Sequence, residues 1–212
     1  MTRLEENWIY KMAEEIEETE GDLRKKTGWG YSELAAQVGG ISIREFQKRC
    51  EGKKVAVVTM TAGQGEIGRF AGSIQAIVRK LGVEAFLTSG TDVEGLYEAT
   101  VKGADIVYMA DDDRFIALNL RNGRVGENNE GTAKGFVHAL QGVAKKNGET
   151  LMGQEVLVIG CGPVGRQGAK ELQALGARPV CWDLDPLCLE SLELENYRKI
   201  ATISAEDLKS MS

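Results

Sequence analysis

The run Glu155-Val-Leu-Val-Ile-Gly160-Cys-Gly162-Pro-Val-Gly165-Arg-Gln-Gly168 constrains this chain more than any other stretch. A short apolar run rich in β-branched residues feeds three glycines at G-x-G-x-x-G spacing. Apolar positions at helical period, Val164, Ala169, Leu172 and Leu175, follow directly. The pattern predicts a strand, a tight turn and a helix N-terminus opened by Pro163 and Val164. Each glycine has its own reason: Gly160 permits the turn, Gly162 lets backbone approach a pyrophosphate, and Gly165 allows close packing of helix on strand. The helix N-terminus then offers unpaired N–H groups and a positive dipole end to the phosphates. A second strand, Arg178 to Asp183, ends on a carboxylate 23 positions after Gly160. A carboxylate there accepts hydrogen bonds from both ribose hydroxyls and repels a 2′-phosphate, so the expected cofactor is NAD rather than NADP.

The same glycine spacing occurs a second time, in Gly63-Gln-Gly65-Glu-Ile-Gly68 after the apolar run Val55 to Met60. Here the next strand-like run, Ala85 to Thr88, leads into Ser89-Gly90-Thr91-Asp92, so its nearest acid lies beyond a turn. Glu66 inside this loop would also oppose a pyrophosphate. The cofactor is therefore assigned to the later copy, and the earlier one is read as a strand-to-helix turn facing substrate.

Apolar runs at Lys54–Met60, Ala85–Thr88 and Ile106–Ala110 alternate with helical patterns at Ile67–Leu81 and Gly95–Val101, as in a buried parallel sheet. Before them, Leu4, Trp8, Met12 and Ile16 form the apolar stripe of an amphipathic helix, and a turn is expected at Thr27-Gly28. Short helices are expected at Tyr31–Val38 and, by capping-box spacing, from Ser42 to about Cys50. After them, Asn119 to Gly131 reads as a long polar loop and Thr132 to Lys146 as a helix. The fold class is α/β: N-terminal helices and a small parallel-sheet domain over residues 1–147, then a partial Rossmann dinucleotide-binding domain over 148–212. In the latter a helix is expected from Pro186 to about Glu195, a weak edge strand at Tyr197–Ala201, and a further helix from Ser204.

Ile106-Val-Tyr-Met-Ala110 runs into Asp111-Asp112-Asp113, which puts three carboxylates past the C-terminal end of a buried strand. That edge binds ligands in open α/β sheets, and carboxylates there would hold an ammonium group and take its proton. Asp111 is assigned to the ligand and Asp113 to the cap of a helix expected from Arg114. His138, inside a helical pattern, reads as a structural histidine, and Trp8, Trp29 and Trp182 as packing residues, with Trp182 near the adenine. A net charge of −6 without a basic run excludes a general nucleic-acid surface. The four cysteines include no C-x-x-C pair, and with one histidine there is no zinc-ligand spacing. Reduced thiols in a cytoplasmic protein are expected, with no metal, signal peptide or membrane span. The helix dipole is expected to lower the Cys161 thiol, to which no chemistry is assigned.

Thr61-Ala-Gly-Gln-Gly-Glu-Ile-Gly68, Met109-Ala-Asp-Asp-Asp113, Leu118-Asn-Leu-Arg-Asn-Gly123, Val156 to Gly165 and Lys25-Lys-Thr-Gly28 together resemble the pyrrolysine synthase (PylD) family over nearly the whole chain. The resemblance implies NAD-dependent oxidation of the terminal amine of L-lysine acylated on its side-chain nitrogen by 3-methyl-D-ornithine. Ring closure by the α-amine with loss of ammonia would follow. It further implies that the Ala110 carbonyl, the Asp111 carboxylate and the Leu4 carbonyl anchor the amine, and that Thr61, Ala62 and Gly63 line the substrate side. Family members continue beyond the position of Ser212, so this chain is expected to be truncated. The small-molecule substrate is the expected partner, and a homodimer is left open. An NAD-dependent amino acid dehydrogenase and a catalytically silent NAD-binding protein are the alternatives.

Overall fold

The computed structural model describes residues 9, 12–64, 68–194, 197–200 and 202–203. The chain divides into two compact units, residues 1–128 and 129–212. The division falls at the start of a long helix whose far end is the junction expected near Asn147.

In the first unit, helices α1 (Ile16–Thr27), α2 (Tyr31–Val38) and α3 (Ile43–Cys50) precede the sheet. Helix α1 carries Glu17 and Glu18 in its first turn and Arg24, Lys25 and Lys26 in its last, each sign set against the opposite pole of the helix dipole. It stops at Gly28, whose φ of 82° is left-handed and whose N–H donates to the Arg24 carbonyl. The expected single helix through Met12 and Ile16 is interrupted: residues 12–14 form a turn, with the Met12 N–H donating to the Ile9 carbonyl. A separate helix starts at Ile16, where Glu17 and Glu18 fall in a first turn that the helix dipole favours for acids. At α3 the Ser42 hydroxyl accepts from the Glu45 N–H at 3.1 Å, as the capping spacing predicts.

Strands β1 (Lys54–Thr59), β2 (Glu84–Leu87) and β3 (Ile106–Ala110) are parallel, with β1 between the other two. Four consecutive residues of β1, Val55 to Val58, are buried, because both faces of the sheet are covered. Val55 and Val57 pack with Ala71, Ile74 and Val78 of α4 (Phe70–Lys80), while Ala56 and Val58 pack with Ala99 of α5 (Asp92–Val101) on the opposite face. The chain steps from β1 outward to β2 and then back across to β3. Strand order therefore reverses between β1 and β3, the switch point where ligands bind in open α/β sheets.

Beyond β3 the structure departs from the expected pattern. No helix starts at Arg114 and residues 119–131 are not a long loop. Instead β4 (Phe115–Asn119) and β5 (Val125–Glu127) extend the sheet antiparallel, giving the order β2-β1-β3-β4-β5. The polar residues that suggest a loop are turn residues. Asn119 Oδ1 accepts from the Arg121 N–H, Asn122 Oδ1 from the Arg124 N–H, and Gly123 supplies a left-handed φ of 70°.

The second unit opens with α6 (Asn128–Lys146), four residues earlier than the pattern suggests. Strands β6 (Glu155–Ile159), β7 (Arg178–Trp182) and β8 (Arg198–Lys199) pair in parallel in that order, with α7 (Pro163–Ala174) between β6 and β7. Val137 and Ala144 of α6 share a core with Leu151, Leu172 and Ala177. Helix α8 (Pro186–Glu190) is capped by the Asp185 carboxylate and is shorter than expected, ending at Glu190. The helix expected from Ser204 lies outside the described residues. Among the described residues no helix is long and apolar enough to cross a membrane.

Candidate functional site

The parallel register sets Thr59 beside Ala110, so the segments leaving β1 and β3 emerge together at the switch point. Thr61 to Gln64 leave β1, and the three aspartates leave β3. Asp111 turns the chain: its N–H donates to the Arg114 carbonyl, and its Oδ1 accepts from the N–H groups of Asp113 at 2.9 Å and Arg114 at 2.7 Å. This local capping of a hairpin replaces the helix cap expected at Asp113. Oδ2 of Asp111 takes no hydrogen bond among the described residues and the side chain is exposed.

Asp112 bends the other way, toward the β1 loop. Its Oδ2 accepts from the Gln64 N–H at 2.7 Å and lies 2.2 Å from where a Cβ on Gly63 would stand. Gly63 also has a left-handed φ of 71°, so that position excludes a side chain twice over. On the other flank Asp92 reaches Thr61: its Oδ1 accepts from the Thr61 N–H at 2.8 Å and its Oδ2 from the Thr61 hydroxyl at 2.5 Å. The Thr61 hydroxyl and then its N–H hold the Asp92 carboxyl below its ordinary range. Asp92 sits at φ 51°, a left-handed backbone that costs a non-glycine residue roughly 1–3 kcal/mol and collects at functional sites. Gly95 brings this helix end close, since a Cβ there would stand 2.5 Å from Val58 Cγ1.

Of the residues expected to touch substrate, Thr61, Ala62 and Gly63 thus lie on one loop bonded to the turn that carries Ala110 and Asp111. Leu4 lies outside the described residues. Asp92 is legible in the sequence only as an acid beyond a turn; its bond to Thr61 depends on two strand ends that the sheet brings together. Asp112 carries no sequence signal separating it from its neighbours.

In the second unit the glycine turn has the expected construction. Gly160 sits at φ 86°, Gly162 precedes α7 with an extended backbone, and Pro163 is its first residue. A Cβ on Gly165 would stand 1.7 Å from the Gly160 carbonyl oxygen, whereas one on Gly162 would meet no atom within 4 Å. The first glycine is set by backbone geometry, the third by packing, and the second leaves open space at the helix N-terminus. Asp183 directly follows β7; its Oδ2 accepts from the Cys161 N–H at 2.5 Å and its Oδ1 from the Asp185 N–H at 2.8 Å. These backbone bonds, that of Asp185 foremost, hold its carboxyl below the usual range. Each carboxylate oxygen has a second lone pair available to a hydroxyl. Open space, a helix N-terminus without a side-chain cap among the described residues, and a carboxylate held below its usual range just past the neighbouring strand together fit a dinucleotide.

The thiols behave otherwise than the dipole suggests. Cys161 and Cys181 are fully buried; burial pushes the first up and the second up to about 12. Desolvation outweighs the helix end because the sulfur of Cys161 packs into the core with Ala169 and Leu192. His138 Nε2 lies 2.9 Å from Glu171 Oε1, both on helices of this unit, so the buried imidazole braces α6 on α7. Among the described residues no cluster of histidine, cysteine or carboxylate side chains is arranged to hold a metal.

These features define a mixed α/β protein: a parallel-cored sheet with a carboxylate-rich switch point, and a Rossmann-type unit of three parallel strands with a glycine phosphate turn. The profile described as "Pyrrolysine biosynthesis protein PylD, N-terminal domain" matches residues 9–126. The chain is 32% identical over 198 residues to pyrrolysine synthase of Methanosarcina acetivorans, covering 89% of this chain and 72% of that protein. It is 36% identical over 159 residues to pyrrolysine synthase of Methanosarcina barkeri, covering 73% of this chain and 59% of that one. The chain belongs to the PylD family of pyrrolysine biosynthesis proteins. Among solved structures, shikimate 5-dehydrogenase from Thermus thermophilus, in complex with NADP(H) and shikimate, aligns at TM-score 0.41 and 19% identity over 70% of this chain and 62% of that one. Shikimate dehydrogenase from Aquifex aeolicus aligns at 0.42 and 13% over 74% and 64%.

Proposed function

We propose that this chain oxidises the terminal amine of L-lysine acylated on its side-chain nitrogen by 3-methyl-D-ornithine, using NAD, and so forms pyrrolysine. The observation that carries the reading is its 32% identity over 198 residues to a protein named pyrrolysine synthase. The two candidate sites supply groups of the kind this chemistry needs. In this reading residues 1–147 form the substrate side and residues 148–212 the cofactor side of a cytoplasmic enzyme.

The Asp111 carboxylate holds the substrate ammonium through Oδ2 and takes its proton, leaving a neutral amine whose lone pair drives hydride departure. The Ala110 carbonyl accepts a second N–H and fixes the amine's orientation; Leu4 is carried as a third carbonyl contact by family resemblance alone. Thr61, Ala62 and Gly63 line the substrate side. Gly160, Gly162, Pro163, Val164 and Gly165 hold a pyrophosphate, and Asp183 accepts from the ribose hydroxyls, which favours NAD over NADP. A bound nicotinamide dinucleotide would supply the acceptor for the hydride that leaves the carbon bearing the amine. The substrate's own α-amine then adds to the resulting imine carbon, and ammonia leaves as the five-membered ring closes.

The test is NADH absorbance with the lysine–methylornithine amide, free lysine, free ornithine and glutamate offered separately. Absorbance should rise with the amide alone. A rise with a free α-amino acid and none with the amide would replace this reading by a deaminating dehydrogenase.

A further inference from the structure

The Thr61 and Gln64 ends of the described loop segment are held by carboxylates from two other elements. Asp92, at the N-terminus of α5, takes both the N–H and the hydroxyl of Thr61. Asp112, from the hairpin after β3, takes the N–H of Gln64 and fills the space beside Gly63. Neither arrangement comes free. Asp92 holds a left-handed backbone at φ 51°, and Gly63 must lack a side chain for Asp112 to fit. Both aspartates engage the loop through its main chain, so they fix where its backbone runs rather than only decorating its surface. Asp112 adjoins Asp111, so the bond from Gln64 ties the loop directly to the turn that carries the proposed base.

We infer that Asp92 and Asp112 are positioning residues, two carboxylate anchors that fix the Thr61–Gln64 loop in register with Asp111 for the amine substrate. The inference rests on the reading that this strand edge is the substrate side. Neither anchor needs to touch substrate, and neither acts through its charge on the reacting amine. What matters is an acceptor at the right place, because small displacements of a binding loop are costly in rate.

This separates acceptor geometry from charge. Asparagine keeps a carbonyl acceptor at both positions, tolerates the left-handed backbone at 92, and lets its amide donate to the Thr61 hydroxyl. Glycine at 92 removes the anchor while relieving the backbone, so loss of function in Asp92→Gly cannot be assigned to strain. The experiment compares Asp92→Gly, Asp92→Asn, Asp112→Ala and Asp112→Asn in the full chain. It reads hydrogen exchange at the Thr61 and Gln64 amides without substrate, then kcat and KM for the lysine–methylornithine amide with NAD.

The Gly and Ala variants should speed exchange at the amide each anchor holds. They should also lower kcat/KM about tenfold or more. Both Asn variants should keep slow exchange and lie within about threefold of wild type. Unchanged exchange in the Gly and Ala variants would overturn the anchors themselves. Fast exchange with unchanged kinetics, or Asn variants as impaired as Gly and Ala, would overturn the positioning role. A wild-type chain that neither binds nor oxidises the amide would instead remove the functional reading, and this inference with it.

Discussion

Gly162 and Gly165 are three residues apart in one turn, yet an added methyl should do opposite things at the two positions. At Gly165 the new Cβ would stand 1.7 Å from the Gly160 carbonyl oxygen, a contact that must open to at least 3.0 Å. The neighbour is backbone, so the start of α7 must back away from the end of β6. Overpacking of this kind costs about 3 kcal/mol. In a unit of this size that lowers the melting temperature by roughly 10 °C or more. At Gly162 the Cβ meets nothing within 4 Å, and its φ of −64° and ψ of −167° are ordinary for alanine. Reduced freedom of the unfolded chain favours alanine there by about 0.4–1 kcal/mol. Alanine's poorer capping takes back about as much. Gly162→Ala should therefore melt within about 2 °C of wild type. If the open space is where a pyrophosphate lies, the same methyl should weaken NAD at least about tenfold, or 1.4 kcal/mol. Melting curves and calorimetric NAD titration of both variants read these effects separately. Wild-type NAD affinity in Gly162→Ala, or wild-type melting in Gly165→Ala, would refute the assignment of separate roles to the glycines.

Three other results are expected. Wild-type protein should bind NAD at least about tenfold more tightly than NADP, and Asp183→Asn, which keeps an acceptor for the Cys161 N–H, should narrow that gap by titration. Asp105, buried between β1 and the β4–β5 turn, accepts from the Lys54 N–H at 3.0 Å and from Arg121 Nε at 2.9 Å, bonds that hold its carboxyl below the usual range, the Lys54 bond first. Its stabilising effect is present above the unfolded carboxyl's pKa and is lost as pH falls through the depressed folded value, because the unfolded chain binds the proton first. Asp105→Ala should cost about 1–3 kcal/mol at neutral pH by denaturant unfolding, and less in acid, by leaving the Lys54 N–H unpaired. Alkylation with mass readout at pH 8 should leave Cys161 and Cys181 unmodified in the native protein and modify them once it is unfolded, because both sulfurs are buried and their thiolates disfavoured.

Much of the fold is legible in the sequence where local signals agree. Buried parallel strands announce themselves as apolar runs, and Val55 to Val58 is buried residue after residue. The glycine turn is legible because each glycine answers a different physical demand. The β4–β5 hairpin is not, because Asn119, Asn122 and Gly123 suit a turn whether they join strands or fill a loop, and the pairing with β3 is not a local signal. The aspartate triplet is ambiguous in part for the same reason. Asp111 caps a turn where a helix is expected, and both uses draw on a short side chain that can bond nearby N–H groups. The anchoring of Thr61 by Asp92 joins residues 31 apart and has no local signature.

The most direct measurement follows product mass and NADH absorbance together while this chain acts on the lysine–methylornithine amide with NAD. The expected product is lighter than substrate by ammonia and two hydrogens, formed in step with NADH and abolished in Asp111→Ala. NADH formed without that product, or the product formed equally well by Asp111→Ala, would contradict the assignment of this chain and of its base.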